Sequence, residues 1–67
     1  MIQVTVNGEP RRFESPLDLC AMLEKLDMAG KKIAVERNGE IVPRSLHPQT
    51  VIADGDRLEI VVAVGGG

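Results

Sequence analysis

With 67 residues, the chain has room for one domain with a single small core, which excludes a deeply enclosed active site. The net charge of −2, basic residues that occur only singly or in pairs, and the lack of Trp and Tyr argue against a nucleic-acid partner. One cysteine, no signal peptide and no long apolar run predict a soluble cytoplasmic protein that has no disulfide and no membrane contact.

The chain begins with a pattern typical of a β-hairpin. Apolar side chains alternate with polar ones over residues 2–6, as expected for a strand with one buried face. Asn7-Gly8 follows, and this dipeptide favours a two-residue type I′ turn. The return strand would hold residues 11–13, with Pro10 at its start. Because proline has no backbone N–H, we expect this second strand at an edge of the sheet.

A helix is predicted next. Ser15 is suited to cap it, Pro16 to occupy its first turn, and Asp18 to reach back to the first N–H groups. The helix should run to about Asp27, with Gly30 placed to end it. Its apolar stripe has the spacing i, i+3, i+4 and i+7, and consists of Leu19, Met22, Leu23 and Leu26.

The second half of the chain predicts three more strands. Residues 33–37 form a third strand with Ile33 and Val35 inward, and Asn38-Gly39 predicts a tight turn into a short fourth strand at residues 41–42. We expect a loop at residues 44–49, with the only histidine, His47, at the surface.

The final strand follows a brief extended piece at residues 50–53 and a turn at Asp54-Gly55-Asp56. It should begin at Leu58, with the apolar residues of one parity facing the core: Leu58, Ile60, Val62 and Val64. One helix must cover one face of a mixed sheet, and the simplest pairing sets the last strand parallel to the first. The predicted class is therefore α+β with the β-grasp, or ubiquitin-like, fold.

The chain ends in Gly65-Gly66-Gly67. We expect residues 1–64 to form the β-grasp domain and residues 65–67 to form a flexible tail. Glycine has no Cβ, so this backbone can pass through a slot too narrow for a side chain. The terminal carboxylate that such a tail would deliver is anionic at neutral pH and inert as an acyl donor until it is activated.

Several stretches together resemble the ThiS family, the small ubiquitin-like sulfur carrier proteins of thiamin thiazole synthesis. They span nearly the whole chain and are residues 4–9, 34–44, 54–60 and the final glycines. The central stretch, with the sequence AVERNGEIVPR, is the most specific of them. The resemblance departs from the family pattern at Gly65, where relatives often carry another small residue before the final Gly-Gly.

The resemblance implies that the protein is a co-substrate and no enzyme. A ubiquitin-activating-like adenylyltransferase would use ATP to adenylate Gly67, while Gly65 and Gly66 thread through the partner's active site. A sulfur donor, a cysteine desulfurase or a sulfurtransferase, would then make the thiocarboxylate, and thiazole synthase would take the sulfur. No phosphate-binding loop motif is present, so the partner must bind the ATP and the chain itself holds no cofactor.

Two alternatives stay open at this stage. The related molybdopterin carriers share the fold and the tail, although they are usually somewhat longer and often have a proline before Gly-Gly. A β-grasp interaction module without tail chemistry is the other alternative. The remaining reactive residues point to no second site: Cys20 is predicted to be a structural residue on the apolar side of the helix, and Asp54-Gly55-Asp56 has too few ligands for calcium.

A docking surface can also be predicted from the short reach of the tail, because the body must then lie close to the partner's active site. The outward-facing side chains of the last strand are Glu59, Val61 and Ala63, and the small Ala34 should lie beside them on the third strand. These four residues form the predicted docking patch. We expect no metal site.

Overall fold

The computed structural model describes residues 1–62. The boundary predicted after residue 64 and the tail at residues 65–67 lie outside the described residues. In chain order the elements are β1 (Ile2–Val6), β2 (Glu9–Phe13), α1 (Leu19–Lys25), β3 (Ile33–Arg37), β4 (Glu40–Val42), a 3₁₀ helix (Arg44–Gln49) and β5 (Arg57–Val62).

The five strands form one mixed sheet in the order β2-β1-β5-β3-β4. β5 is parallel to β1 and antiparallel to β3, while β2 and β4 pair with β1 and β3 as the outer arms of two hairpins. The predicted β-grasp fold is confirmed, including the parallel pairing of the last strand with the first and the position of β2 at an edge.

The core lies between one face of this sheet and α1. Its fully or nearly buried members come from every strand except the two at the edges, from the helix and from the segment before β5: Ile2, Val4, Val6, Leu19, Met22, Leu23, Val35, Ile52, Leu58 and Ile60. Burying an aliphatic side chain contributes about 1.5 to 3 kcal/mol, so these ten residues supply most of the driving force for folding.

Both hairpins close over the predicted turns. Asn7 and Gly8 have φ values of 51° and 82°, and Asn38 and Gly39 have values of 52° and 88°. A type I′ turn requires positive φ at both central residues, which Gly and Asn adopt at the lowest steric cost. The prediction of two tight Asn-Gly turns is confirmed.

The helix begins later than predicted. Asp18, and not Ser15, is the N-cap, and its carboxylate accepts a hydrogen bond from the Ala21 N–H at 2.8 Å. The cause lies elsewhere in the chain, because the residues just before α1 bond with the segment before β5. Ile52 N–H donates to the Leu17 carbonyl, and Leu19 N–H donates to the Thr50 carbonyl. This backbone is held extended and cannot enter a helix.

The helix also ends earlier than predicted, at Lys25, with Asp27 in the left-handed region at φ 60°. Met28 N–H donates to the Leu23 carbonyl and Asp27 N–H donates to the Glu24 carbonyl, which is the hydrogen-bond pattern of a Schellman motif. Asp27 therefore takes the terminating role that we expected of Gly30.

The segment predicted as a loop is a 3₁₀ helix, and the prediction that His47 lies at the surface is wrong. Only 4% of His47 is exposed. Its Nε2 lies 3.1 Å from the Val42 carbonyl, which can only accept, so this nitrogen carries the proton and donates. The 3₁₀ helix that carries His47 packs against α1, and the imidazole is buried.

Candidate tail-presenting site

β5 is the last element of the described chain and precedes the C-terminal glycines in the sequence. Ile60 is buried, but Val62 is 42% exposed, so the prediction that Val62 faces into the core is only partly correct. β1 pairs with β5 no further than Val6 opposite Leu58. Val62 therefore has Ile33 of β3 opposite it but no neighbour from β1, which leaves its side chain partly open to solvent.

The sheet face opposite α1, which we call the outer face, carries the predicted docking residues that the structure describes. Ala34 lies directly opposite Val61, and both are exposed, Val61 by 61%. Glu59 is exposed and lies opposite Glu36. The structure thus brings Ala34, Glu59 and Val61 together, while Ala63 lies outside the described residues.

Ile41 adds a further apolar side chain to the outer face. It lies opposite Glu36 on the edge strand β4 and is 68% exposed. The two carboxylates of Glu36 and Glu59 therefore lie between Ile41 on one side and the Ala34–Val61 pair on the other. Cross-strand neighbours share a face of a sheet. The position of Ile41 on the outer face could therefore have been predicted from the pairing register of β3 and β4, but the sequence did not give that register.

Two hydrogen bonds join the last part of β5 to the side chain of Asn7, the residue that follows β1. The Asn7 side-chain Nδ2 donates to the Ile60 carbonyl at 3.1 Å, and the Asn7 Oδ1 accepts from the Ile60 N–H at 2.7 Å. Asn7 was predicted only as a turn residue. Its second role depends on a strand 53 residues away, so no local pattern could have indicated it.

The start of β5 is held by a polar network around Asp56, which is buried. Its Oδ2 accepts from the Ala53 N–H at 2.8 Å and from Arg37 Nε at 2.9 Å, and its Oδ1 accepts from Asn38 Nδ2 at 3.2 Å. Burial acts to raise the pKa of Asp56. The hydrogen bonds from Ala53, Asn38 and Arg37 and the charge of Arg37 outweigh it, and the pKa lies below its ordinary value of 3.8.

The turn at Asp54-Gly55-Asp56 is thus a structural turn whose carboxylates are both engaged. Asp54 Oδ1 accepts from the Gln3 N–H at 2.8 Å, and Asp56 has the three donors described above. Within residues 1–62 no group of three or more His, Cys, Asp or Glu side chains is placed to hold a metal ion.

Cys20 lies away from the outer face. It is partly buried and lines a cleft of about 350 Å³ on the helix side, together with His47, Arg44 and Lys31. Free cysteine behaves as a small hydrophobic residue in such settings. The structural role predicted for Cys20 fits this position, which is on the other side of the sheet from Val61.

Replacing Cys20 by alanine should therefore affect stability and not chemistry. We expect Cys20→Ala to lower the free energy of unfolding by on the order of 1 kcal/mol, as for a small truncation at a partly buried site. The sulfur loading of Gly67 that the resemblance to the ThiS family implies, followed by intact mass, should proceed at the wild-type rate. A loss of loading at unchanged stability would instead give the thiol a part in the chemistry.

Comparisons of the sequence and the fold with known proteins test the resemblance found in the sequence. The sequence model of the ThiS family matches residues 4–67, which run from within β1 through β5 to the terminal glycines. The chain belongs to the ThiS family. This is the family of ubiquitin-like sulfur carriers of thiamine biosynthesis that the motifs of the sequence resemble.

A solved structure supports the same assignment. The crystal structure of the thiamine biosynthesis protein ThiS from Geobacter metallireducens is 33% identical, with a TM-score of 0.84, and the match covers 98% of this chain and 100% of that one. The uncharacterized protein ycf40 of Porphyra purpurea is 41% identical over 98% of this ThiS-family chain and 93% of its own length.

A thiazole synthase of Paramagnetospirillum magneticum contains a similar segment. It is 46% identical over 98% of this chain, but the match covers only 20% of the synthase. The ThiS-family chain therefore spans about a fifth of the length of that relative. As for membranes, none of the helices in residues 1–62 has the length and apolar character that crossing a bilayer would need.

Proposed function

We propose that this ThiS-family chain is a sulfur carrier protein whose Gly67 carboxylate is adenylated and then converted to a thiocarboxylate. The observation that carries the proposal is the family match, which spans residues 4–67 and so includes Gly67. The chain acts as a co-substrate in the cytoplasm, and the ATP is bound by its partner. Thiamine biosynthesis, and not the molybdopterin pathway, is the process it serves.

The chemistry proceeds in two displacements and a thiol-dependent release. One oxygen of the Gly67 carboxylate attacks the α-phosphorus of ATP, and pyrophosphate leaves, which gives a glycyl adenylate. The terminal sulfur of a persulfide on the donor, a cysteine desulfurase or a sulfurtransferase, then attacks the carbonyl carbon and displaces AMP, which gives an acyl disulfide. A thiol such as that of free cysteine attacks the donor's cysteine sulfur, which releases the thiocarboxylate and leaves the donor in a disulfide with that thiol. Because a carboxylate is a poor acyl donor to any nucleophile, the first step is what makes the second possible.

Thiazole synthase is the acceptor that the comparisons support. The relative in Paramagnetospirillum magneticum and another in Magnetococcus marinus both bear that name, and the match covers 20% of each. Joining two interacting modules in one chain raises their effective concentration, commonly into the millimolar range. The same encounter is proposed between this chain and a thiazole synthase.

The outer face is proposed as the surface that docks on the adenylyltransferase. Five residues follow Val62, and even fully extended they reach no more than about 17 Å. The body of the carrier must therefore lie close to the adenylating centre while Gly65 and Gly66 thread into it. Val61 and Ala34 lie side by side at the origin of the tail, with Ala63 expected to continue their row and Glu59 at its border.

A negative charge at the centre of this docking patch should weaken adenylation because the carrier would bind the adenylyltransferase less tightly. For Val61→Asp we expect the carrier concentration that gives half-maximal adenylation to rise by about tenfold or more, since a buried, unpaired carboxylate at an interface is costly. The free energy of unfolding should fall by less than about 1 kcal/mol because the side chain is exposed. Pyrophosphate release by the adenylyltransferase, measured against carrier concentration, checks this.

Val51→Asp is the matched control. Val51 is 53% exposed, close to the 61% of Val61, but it lies in the segment beside α1 and not on the outer face. The same chemical change should leave adenylation within about twofold of wild type. Equal effects of the two substitutions would place the docking surface elsewhere.

The proposed function itself is tested by intact mass. The chain is incubated with ATP, a ubiquitin-activating-like adenylyltransferase, a cysteine desulfurase and cysteine. We expect a gain equal to the mass difference between sulfur and oxygen, dependent on ATP and located in the C-terminal peptide. The Geobacter ThiS protein serves as positive control. If that protein is loaded and this chain is not, the carrier function is wrong, and a β-grasp interaction module becomes the better interpretation.

A further inference from the structure

The pairing between β1 and β5 stops well before β5 does. Only Thr5 opposite Arg57 and Val6 opposite Leu58 are in register, whereas β5 continues to Val62. On its other side β3 accompanies β5 all the way, to the pair Ile33–Val62. The last part of β5 therefore has a strand neighbour on one side only.

On the side of β5 that has no strand neighbour, the side-chain amide of Asn7 makes the hydrogen bonds that a neighbouring main chain would make. Asn7 N–H donates to the Leu58 carbonyl at 2.9 Å, as in a parallel ladder. In a ladder that continued, the Ile60 N–H would donate to the carbonyl of residue 7, and the Ile60 carbonyl would accept from the N–H of residue 9. The chain turns away at Asn7 instead. The Asn7 Oδ1 and Nδ2 make both of these bonds with Ile60.

We propose that Asn7 is a positioning residue for the tail. Its amide fixes both main-chain polar groups of Ile60, and only Val61 and Val62 separate that residue from the segment that carries Gly67. With the amide in place, β5 follows the sheet up to its end at Val62, which fixes the point from which the chain continues toward Gly67. This inference rests on the proposed function, because the direction matters only if Gly67 must meet a partner's active site.

The expected kinetic effect is specific. Losing the amide leaves the outer face intact, so binding of the carrier to the adenylyltransferase should change little. The carboxylate would, however, reach the reactive position less often, and misplacement by about 1 Å can cost up to about a hundredfold in rate. A purely structural residue would not separate kcat from KM in this way.

The experiment compares Asn7→Gly with Asn38→Gly. Both asparagines occupy the same position of a type I′ turn with φ near 50°, which glycine adopts freely. The Asn38 amide also binds at β5, but at the opposite end, through the Arg57 N–H and Asp56 Oδ1. The control thus removes the same group at the same kind of turn, far from the tail. Asn7→Asp is a second variant that keeps the shape and the Oδ acceptor but loses the donor.

The first measurement is amide hydrogen exchange, which needs no partner. In Asn7→Gly the exchange of Ile60 relative to Leu58 should accelerate by about tenfold or more, because Leu58 lies in the part of β5 that β1 itself covers. Asn38→Gly should leave this ratio unchanged. An unchanged ratio in both Asn7 variants would overturn the proposal.

The second measurement is adenylation kinetics. For Asn7→Gly and Asn7→Asp we expect kcat to fall by about tenfold while KM stays within about twofold, and for Asn38→Gly neither should change beyond about twofold. If wild type is adenylated and both glycine variants behave alike, the positioning role is wrong while the carrier function stands. If wild type is not adenylated, the carrier function fails and the role of Asn7 in it fails as well.

Discussion

Deleting Gly67, or adding a few residues after it, is expected to abolish sulfur loading completely. The proposed reaction uses one group, the terminal carboxylate of Gly67, as the acyl donor. Intact mass after incubation with ATP, the adenylyltransferase and the sulfur source measures the effect. The deleted form would still present a carboxylate, that of Gly66, but one residue short of the adenylating centre.

The fold should be unaffected by these changes. β5 ends at Val62, so every described element precedes the altered residues. We expect the free energy of unfolding to stay within about 0.5 kcal/mol of wild type. The matched control adds the same residues before Met1, which is 81% exposed, and should load normally. Normal loading of the C-terminally extended form, shown to be uncleaved, would contradict the carrier function.

The second large effect is expected at Asp56. Asp56→Ala removes the acceptor of the Ala53 N–H, of Arg37 Nε and of Asn38 Nδ2. Leaving such donors unsatisfied costs about 1 to 3 kcal/mol each when they are buried, and Arg37 is partly exposed, so we expect a total loss of about 3 kcal/mol. A domain of this size has only about 3 to 10 kcal/mol to lose. Urea unfolding at pH 7 measures the loss.

The carboxylate of Asp56 also makes the stability of the folded protein depend on pH. The pKa of Asp56 in the folded state lies below 3.8, while the unfolded value is about 3.9. The carboxylate therefore binds protons less readily when the protein is folded. Its contribution to stability is present above about pH 4, declines as the pH falls below that value, and is lost once the pH passes below the folded pKa. The difference in stability between wild type and Asp56→Asn should shrink over this window.

Asp27→Asn is the control for the pH experiment. Asp27 is exposed at the end of α1 with φ 60°, a conformation that asparagine also tolerates. Its substitution should change the free energy of unfolding by less than about 0.5 kcal/mol. If the gap between wild type and Asp56→Asn stays constant from pH 7 down to about pH 2, the network does not depend on the charge of Asp56.

The features that the sequence predicted correctly are set by residues close to one another in the sequence. The turns at Asn7-Gly8 and Asn38-Gly39 follow from the φ preference of single residues, and the strand faces follow from alternation. The parallel pairing of the last strand with the first was predicted from the rule that a lone helix covers one face of a mixed sheet. The exposed positions of Ala34, Glu59 and Val61 follow from the same alternation. Their role in docking, like that of Ala63 and the glycines, stays a prediction.

What the sequence did not predict depends on contacts between distant segments. Ser15 is as good a cap as Asp18, and the choice between them was made by the hydrogen bonds of Leu17 and Leu19 with residues 50–52. His47 is polar and lies between Leu46 and Pro48, yet it is buried, and its Nε2–H donates a hydrogen bond to the Val42 carbonyl. The side chains of Asn7 and Asn38 serve β5 as well as their own turns. Each of these outcomes requires the tertiary structure to be known first.

The central place of β5 has a consequence for how the domain folds. The hairpins β1–β2 and β3–β4 each close over two residues and can form within microseconds, but a lone hairpin is at best marginally stable in water. Within the described chain, β5 is the one strand that pairs with both. Bringing it to β1 closes a loop of more than fifty residues, as the separation of 53 between Asn7 and Ile60 shows. We therefore expect β5, the strand that precedes the terminal glycines, to insert late and to join the two weak hairpins into a single cooperative unit.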